Sequence, residues 1–468
     1  MVGSAEPMGL IDTDRVKTAW ATYITKWVTA YKNKGVPIWA VTPQNEPEFA
    51  APWEACSYNA SSQLHFVTNY LGPILKQSFP DILLLAFDHN KDHLLAWTKT
   101  ILGDKAAAGF VDGMAFHWYA GEGDRMLDGT YGYEAINDSY HFVGNKEKIF
   151  LATEGCSCPG ISVDNWLRAE RLSHDIIYDL ENYAQGWIDW NLLVDSNGGP
   201  NHLGNVCDAA MFTLSDYSDV HLQPKYYYFT HISKHFLPNS VRVYSNVLGN
   251  YNFANIDPNV RVGLELGLYG CERSTRQIWR LNDVQRNSTL ELVKPSTDSN
   301  VDVYSPSYVR LCAGTGNTNR PYLRLVDCEY DMSEGLHRRL TVEYSDIKEH
   351  IVDVYSGMCL TVANNVRTKG GIFKLAPCVE GNEFQRMALD PLTGEITMKV
   401  SESVPFCLTA GWPRLSGVAA LRPDGKVALV ISNEASVDTE VLLRDKQTEA
   451  DGSFKFMISG RAIQTLVY

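Results

Sequence analysis

The first half of the chain alternates short, almost continuously apolar segments with amphipathic ones. Five apolar segments predict β-strands: VPIWAVT (36–42), DILLLAFD (81–88), VDGMAFHWY (111–119), KIFLATEG (148–155) and QGWIDWNLLVD (185–195). Such strands, alternating with helices, predict a parallel sheet covered by helices on both faces. The pattern therefore favours an α/β fold of the (β/α)8 TIM-barrel type over residues 1–235.

Helices are predicted before and between these strands, at 14–35, around 63–76, around 92–102 and around 164–183. The first is predicted from side chains that recur every four residues and are followed by Gly35: Ala19, Tyr23, Trp27 and Tyr31. The segment before the fourth strand is interpreted as a polar loop. Five strands cannot close a barrel of eight, so we expect the amino-terminal strands of the barrel to be missing from this chain.

Polar or aromatic side chains follow each predicted strand: Asn45 and Glu46, Asp88 and His89, His117 to Tyr119, Glu154, and Asp189 to Asn191. The carboxyl ends of barrel strands build the active site. Glu46 and Glu154 are therefore expected to face each other. Either glutamate alone would ordinarily be a solvated loop residue, but a pair is what glycoside hydrolysis requires, with one carboxyl protonated and the other ionised.

Several neighbours of this pair are candidate substrate-binding residues. Asn45 could donate a hydrogen bond to a sugar hydroxyl, and His117, Tyr119 and Trp190 suit a pyranose pocket, although each could equally be a structural residue. Cys156 is expected to be an unpaired thiol that lines the site. Asn205 lies in a glycine-rich segment that would by default be a turn.

Composition excludes several classes of partner. A formal net charge of -14 without a basic block argues against nucleic acid and anionic membrane surfaces. No apolar run approaches the roughly 18 residues of a membrane span, so no integral membrane segment is expected. The histidines and cysteines lack metal-ligand spacing, and no cofactor is predicted.

Location is indicated only weakly by the sequence. Asn59, Asn137 and Asn287 stand in glycosylation sequons, which favour a secretory route. The first residues have neither the basic nor the apolar region of a signal peptide. The chain is therefore expected either to be cytosolic or to begin downstream of the true start.

From about residue 246 the pattern changes to short β-segments separated by turns, with signs of internal repetition. Asp424-Gly425 separates two apolar runs and predicts a β-hairpin. The terminal SGRAIQTLVY (459–468) predicts one more strand.

The motifs NEP (45–47), HWY (117–119), ATEGC (152–156), GWIDWNL (186–192) and GGPNHLGN (198–205), in that order, resemble glycoside hydrolase family 30. The resemblance implies a (β/α)8 barrel with a side β-sandwich, and a retaining hydrolase of β-glucosides or glycosphingolipids. The alternatives are an endo-β-1,6-glucanase or another specificity of this family, and an inactive glycan-binding protein. A secreted or lysosomal location follows from the same resemblance.

Site residues are also implied by the resemblance. Glu46 matches the acid/base and Glu154 the nucleophile, and Asn45 matches the residue that contacts the sugar 2-hydroxyl. The remaining matches line the sugar pocket: Tyr119, Cys156, Trp190 and Asn205.

Residues 251–412 depart from that family. Their Cys-Leu starts and Gln277-to-Trp279 motif resemble ricin-type β-trefoil repeats, which would bind a glycan and interrupt a sandwich formed by 236–250 and 413–468. A structural insert without a ligand is the alternative. Disulfides are predicted between Cys312 and Cys328 and between Cys359 and Cys378.

Overall fold

The protein is described by a computed structural model that divides into two compact units, Met1–Leu237 and Pro238–Tyr468. The described residues are 9–49, 51, 53–119, 132–144, 147–243, 266–270, 279–281, 288–292, 311–315, 323–327, 338–345, 349–362, 371–389, 396–398, 406–410, 415–433, 438–444 and 453–468.

The first unit contains the predicted parallel sheet. Its four strands are β1 (Ala40–Val41), β2 (Leu83–Asn90), β3 (Gly113–His117) and β4 (Ile149–Glu154), in the order β1-β2-β3-β4. All three neighbouring pairs are parallel, and β3 is buried along its whole length. The fifth predicted strand touches this sheet through one parallel bridge between Trp187 and Ala152. The arrangement is that of part of a barrel wall.

Eight α-helices are present among the described residues: α1 (Asp14–Asn33), α2 (Ala60–Phe66), α3 (Gly72–Ser78), α4 (Leu94–Ile101), α5 (Lys105–Ala108), α6 (Tyr133–Val143), α7 (Trp166–Glu181) and α8 (Pro224–Ser233). A π-helical segment, Val67–Leu71, joins α2 to α3, and a 3-10 turn, Lys91–His93, leads into α4. Thr13 caps α1, and Asn59 caps α2 through a reciprocal bond pair with Ser62. The four predicted helices are thus confirmed.

The four-residue repeat of α1 lies at the surface: Tyr23, Trp27 and Tyr31 are exposed, and the buried residues of the helix are Ala21, Thr25 and Val28. The expectation of a polar loop before β4 is wrong, because α6 lies in this segment.

Apolar residues at 133, 136, 140 and 143 have helical spacing, and this signal was hidden by the polar residues between them.

A second, smaller sheet follows in the first unit. Its strands are β5 (Leu193–Val194), β6 (Met211–Thr213) and β7 (Val220–Leu222). β5 pairs parallel with β6, and β6 pairs antiparallel with β7.

The first core lies between the parallel sheet and its helices. Leu71 and Leu75 from the helical side are buried in one cluster with Leu84, Met114 and Phe116 from the strands.

The second unit is built from β-strands: β8 (Val241–Val243), β9 (Leu266–Gly270), β10 (Trp279–Leu281), β11 (Ser288–Leu292), β12 (Leu311–Thr315), β13 (Leu323–Asp327), β14 (Arg338–Arg339), β15 (Thr341–Ser345), β16 (His350–Asp353), β17 (Met358–Val362), β18 (Gly371–Pro377), β19 (Met387–Leu389), β20 (Ile396–Met398), β21 (Phe406–Ala410), β22 (Leu415–Leu421), β23 (Val427–Asn433), β24 (Thr439–Arg444), β25 (Ser453–Ile458) and β26 (Ala462–Val467). A 3-10 turn, Glu383–Gln385, precedes β19.

These strands form three sheets. Strands β9 to β21 belong to one antiparallel sheet, and β26-β23-β22-β8 form another. β24 and β25 form a separate hairpin. β8 pairs with β22 across the intervening 170 or so residues of sequence.

The predicted hairpin and terminal strand are confirmed. β22 and β23 pair antiparallel around a tight turn in which Gly425 has a φ of 81°, a value that glycine adopts without strain. β26 pairs with β23.

The predicted disulfide between Cys359 and Cys378 is present, with Cα atoms 5.1 Å apart. Cys328 lies outside the described residues, and so does the predicted bond to Cys312. Two residues of the predicted repeats are structural: Trp279 is buried and donates to the Leu408 carbonyl, and Gln385 donates to Thr361.

Candidate active site

Glu46 lies in the turn that follows β1. Its φ is 48°, in the left-handed region that non-glycine residues seldom adopt, and its N–H donates to the Asp88 carbonyl at 3.0 Å. Two prolines, Pro43 and Pro47, flank this turn, and the Pro47 carbonyl accepts from Tyr58 at 2.9 Å. Backbone strain held in place by neighbouring contacts is common at functional sites.

Glu154 is the last residue of β4. The Tyr119 hydroxyl donates to its Oε1 at 3.1 Å, and its carbonyl accepts from the Trp118 N–H at 2.9 Å. Gly155 follows because a Cβ there would stand 2.4 Å from the Trp187 ring. The strand end and the packed tryptophan therefore fix the direction of the Glu154 side chain.

His117, at the end of β3, joins the two glutamates. Its Nδ1 lies 3.4 Å from Glu46 Oε1 and 3.9 Å from Glu154 Oε1. On its other side, Nε2 lies 3.2 Å from Asp88 Oδ1. The structure thus brings both predicted carboxylates within 4 Å of one buried nitrogen.

The imidazole of His117 is held in its charged form. Burial alone would lower its pKa, but the contacts with Asp88 and Glu46 and the charge of Glu154 outweigh burial and raise the pKa to about 10. Three carboxylates therefore surround one imidazolium.

Burial raises the pKa of Glu154 to about 7. The charge of His117 opposes this rise, the charges of Glu46 and Asp88 add to it, and the Tyr119 hydroxyl opposes it. His117 and Tyr119 are thus the two groups that favour the ionised form of Glu154, the form that a nucleophile needs.

Asp88 is a site residue whose role the sequence did not reveal. It is buried, has a φ of 74°, and accepts from Thr42 and Thr153 at 2.6 Å each in addition to its contact with His117. Burial opposes its ionisation, but the bond and charge of His117 and the two hydroxyls hold its pKa below the usual value.

The sequence signal for Asp88 was its place at a strand end. The strand register is irregular between 87 and 89 and between 116 and 117, as is common next to active sites.

Tyr119 and Trp118 are both buried, and the centroids of their rings are 6.2 Å apart in an edge-to-face arrangement. The Tyr119 hydroxyl also accepts from the Cys156 N–H at 3.2 Å. Cys156 therefore lies beside the site, next to the tyrosine that contacts Glu154.

The sequence did not reveal the surroundings of Cys156. Its sulfur lies in a cluster with those of Cys158 and Cys207, all within 4.8 Å of one another. The segment from β4 and the segment before β6 run side by side here, which sequence spacing alone does not show.

The other predicted substrate-binding residues stand farther out. Asn45 is exposed beside Glu46. Trp190 is 45 % exposed. Its backbone N–H donates to the Gly155 carbonyl at 3.0 Å, which places Trp190 next to the segment that contains Glu154. Asn205 is exposed, and among the described residues no hydrogen bond joins its side chain to Glu46 or Glu154.

Two groups of described residues bring three potential metal ligands within 4.8 Å of one another. The first consists of Glu46, His89 and His117, and the second of the three clustered cysteines. In the first group His117 is already bound to Asp88 as a cation, and in the second a disulfide at Cys158 takes two of the three sulfurs. The chemistry available to Glu46 and Glu154 is proton transfer and nucleophilic attack.

Among the described residues, no helix is both long enough and apolar enough to span a bilayer.

The chain is 31% identical over 233 residues to the lysosomal acid glucosylceramidase of Mus musculus, covering 48% of this chain and 44% of that protein. It is 28% identical over 240 residues to the endo-1,6-beta-D-glucanase neg1 of Aspergillus fumigatus, covering 50% and 44%. The chain spans about half the length of the curated relatives it matches.

Among solved structures, SrfJ from Salmonella typhimurium has a similar fold, with a TM-score of 0.54 and 17% identity over 97% of this chain and 63% of that one.

Two family descriptions match the sequence. Residues 5–237 match the glycosyl hydrolase family 30 TIM-barrel domain, and residues 408–466 match the glycosyl hydrolase family 30 beta sandwich domain. The two matches fall in the two halves of the chain that the structure separates. The chain therefore belongs to glycosyl hydrolase family 30.

Proposed function

We propose that this chain carries the catalytic pair of a retaining glycosidase that cleaves β-glucosidic bonds. The observation that carries the proposal is the convergence of Glu46 and Glu154 on His117 Nδ1, with Tyr119 bonded to Glu154. Two carboxyl groups close together, in unequal surroundings, are what double displacement requires.

In the proposed mechanism Glu154 attacks the anomeric carbon while Glu46 protonates the glycosidic oxygen. Water, deprotonated by Glu46, then releases the sugar with retained configuration. Tyr119 and His117 favour the ionised nucleophile before attack and after release. We expect the two carboxyl groups to stand about 5–5.5 Å apart when substrate is bound.

Glucosylceramide-type β-glucosides are the proposed substrates, in line with the similarity to the mouse glucosylceramidase. Pocket roles for Asn45, Trp190 and Asn205 belong to the same proposal. The similarity to the Aspergillus protein favours β-1,6-glucan as the second candidate substrate. Barrels of one fold can accept either kind of substrate when their loops differ.

For the second unit we propose that residues 251–412 form a β-trefoil-like, glycan-binding insertion in a sandwich made by 236–250 and 413–468. The pairing of β8 with β22 supports this, because the two strands share a sheet although β9 to β21 lie between them in sequence. A chain that binds glycan without hydrolysing it is the alternative.

A secreted or lysosomal location is proposed as well. The Cys359–Cys378 disulfide favours an oxidising compartment, and the sequon residue Asn59 is exposed. Reduced thiols at Cys359 and Cys378 in the protein isolated from cells would contradict this location.

The test uses the full chain with a fluorogenic β-glucoside, and proton NMR to follow the first anomer released. We expect β-glucose first, loss of turnover in Glu46→Gln and Glu154→Gln, and near-normal turnover in Glu48→Gln. Glu48 is a matched control because it lies two residues from Glu46 but binds His93 and Trp97 instead.

A folded chain that binds glycans on an array yet hydrolyses no β-glucoside or β-1,6-glucan would contradict the proposed activity. Release of α-glucose first would contradict retention. Comparison of glucosylceramide with β-1,6-glucan oligosaccharides separates the two candidate substrates.

A further inference from the structure

Three cysteine sulfurs meet beside the candidate site. Cys156 and Cys158 follow β4, and Cys207 precedes β6. The two segments are held side by side by the bridge between Ser157 and Asp208, whose N–H donates to the Ser157 carbonyl at 2.8 Å. The three sulfurs lie within 4.8 Å of one another, and those of Cys156 and Cys207 are 3.2 Å apart.

A sulfur atom can form only one disulfide bond. Cys158 can therefore be bonded to Cys156 or to Cys207, but not to both at once. In either arrangement the third cysteine is a thiol in contact with the disulfide. This is the arrangement that thiol–disulfide exchange requires, since the attacking thiolate must reach a disulfide sulfur.

We propose that Cys156, Cys158 and Cys207 form an intramolecular thiol–disulfide exchange centre. In one direction the Cys207 thiolate attacks the Cys158 sulfur, a Cys158–Cys207 bond forms, and Cys156 leaves as a thiolate. The proton lost by Cys207 is replaced by one gained at Cys156. One disulfide and one thiol are present before and after, so no external oxidant or reductant takes part.

The two arrangements restrain the chain differently. The Cys158–Cys207 bond spans 49 residues and ties the glycine-rich segment with Asn205 to the segment that follows Glu154. The Cys156–Cys158 bond spans two residues and leaves the two segments joined by backbone hydrogen bonds. A bond that closes a longer loop restricts the unfolded chain more.

Exchange also changes what stands beside the candidate nucleophile. Cys156 follows Glu154 by two residues, and its N–H donates to the tyrosine hydroxyl that contacts Glu154. Only in the Cys158–Cys207 arrangement does Cys156 carry a thiol at this position. The centre is therefore a place where a small disulfide or another thiol-directed reagent would react.

The first test maps the free thiol in the full chain. The protein is acid-quenched, denatured without reductant, alkylated with N-ethylmaleimide and mapped by mass spectrometry. We expect one alkylated thiol divided between Cys156 and Cys207, with Cys56, a free cysteine outside the cluster, as the internal standard. Label confined to one of the three clustered cysteines, or present on all three, would overturn the proposal.

The second test shows whether the arrangements interconvert. Slow alkylation of the native protein at pH 8 should move the label toward Cys156, because Cys156 is 7 % exposed and Cys207 is 1 % exposed. Exchange would refill the reactive form as it is consumed. If the ratio of label on Cys156 to label on Cys207 in the native protein equals the acid-trapped ratio at every reagent concentration, the two arrangements are fixed populations. That result would contradict exchange.

Two locked variants test the structural consequence. Cys156→Ser retains the 49-residue connection, and Cys207→Ser retains the two-residue one. We expect a higher melting temperature for Cys156→Ser than for Cys207→Ser. Equal melting temperatures would contradict the claim that the two arrangements restrain the chain differently. These readouts do not involve hydrolysis, so their outcome is separate from the proposed function.

Discussion

The turn after β1 and the carboxyl end of β4 each present one carboxylate to His117, but the two carboxylates are anchored differently. Their side chains are about equally covered, Glu46 at 13% and Glu154 at 14% exposed, so solvent access does not distinguish them. Glu154 ends a regular strand and accepts from Tyr119, whereas Glu46 stands in a turn with a left-handed backbone.

The difference matches two chemical tasks. A nucleophile must attack from a fixed position as an anion, which a strand end and a donating hydroxyl favour. An acid/base must first give its proton to a leaving group and then take one from water, so its side chain has to reach different atoms. The turn after β1 suits the second task.

The largest effects should come from the two carboxylates with substrates of different leaving ability. Glu46→Gln should lose about 10²- to 10⁴-fold with a poor leaving group, because general-acid assistance contributes that much, and far less with dinitrophenolate. Glu154→Gln should lose activity on both substrates. Single-turnover release of dinitrophenolate measures this, and an equal loss in both variants on both substrates would contradict the division of tasks.

Replacement of His117 by Gln removes the cation that both segments share and leaves Asp88 buried without it. We expect the free energy of unfolding to fall by about 3 to 5 kcal/mol. The matched control His93→Gln affects a half-exposed contact with Glu48 and should change stability by about 1 kcal/mol or less.

The pH dependence gives this prediction a sign. The pKa of His117 is raised in the folded state, so its stabilising effect is complete below the unfolded value of about 6.5 and is lost as pH rises through about 10. Urea unfolding at pH 6 and pH 10 should therefore show a smaller gap between wild type and His117→Gln at pH 10. A gap independent of pH would contradict a charged His117.

Removal of the Tyr119 hydroxyl tests the surroundings of Glu154 without changing Glu46. The hydroxyl lowers the pKa of Glu154, so Tyr119→Phe should raise that pKa above about 7 and move the acid limb of kcat/KM to higher pH. Stability should fall by about 1 to 3 kcal/mol because the Cys156 N–H loses its acceptor.

The control for this variant is Tyr70→Phe, whose hydroxyl donates to Asp14 at the surface. Its pH profile should match that of the wild type. An unshifted acid limb in Tyr119→Phe would contradict the assignment of that limb to Glu154.

The smallest effect is expected at Trp190. Trp190→Ala should raise KM about fivefold, with little change in stability. This is the loss expected if about 40 Å² of the apolar Trp190 face is buried against the sugar. Trp27→Ala is the control, since Trp27 is similarly exposed but lies on α1. Equal KM values for the two variants would remove Trp190 from the proposed pocket.

Sequence reasoning worked where one local pattern decides the structure. Continuous apolar runs predicted the parallel strands, and the polar residues after them identified Glu46, Glu154 and His117 as neighbours. It failed where contact depends on distant segments. Asp88 takes its role from Thr42 and Thr153, and Cys156 meets Cys207 only because two loops run side by side.

The α1 stripe shows the limit of periodicity. A four-residue repeat of aromatic residues correctly predicted a helix but not which face is buried, because the contact with the core is made by other residues of the helix: Trp20, Ala21, Ile24 and Val28. Helical period fixes the secondary structure, whereas packing selects the face.

The most direct test of the division between Glu46 and Glu154 is to trap the covalent intermediate. The full chain is incubated with 2-deoxy-2-fluoro-β-glucosyl fluoride, digested and mapped by mass spectrometry. The account predicts a single glucosyl adduct on Glu154. An adduct on Glu46, or none on a folded chain, would contradict it.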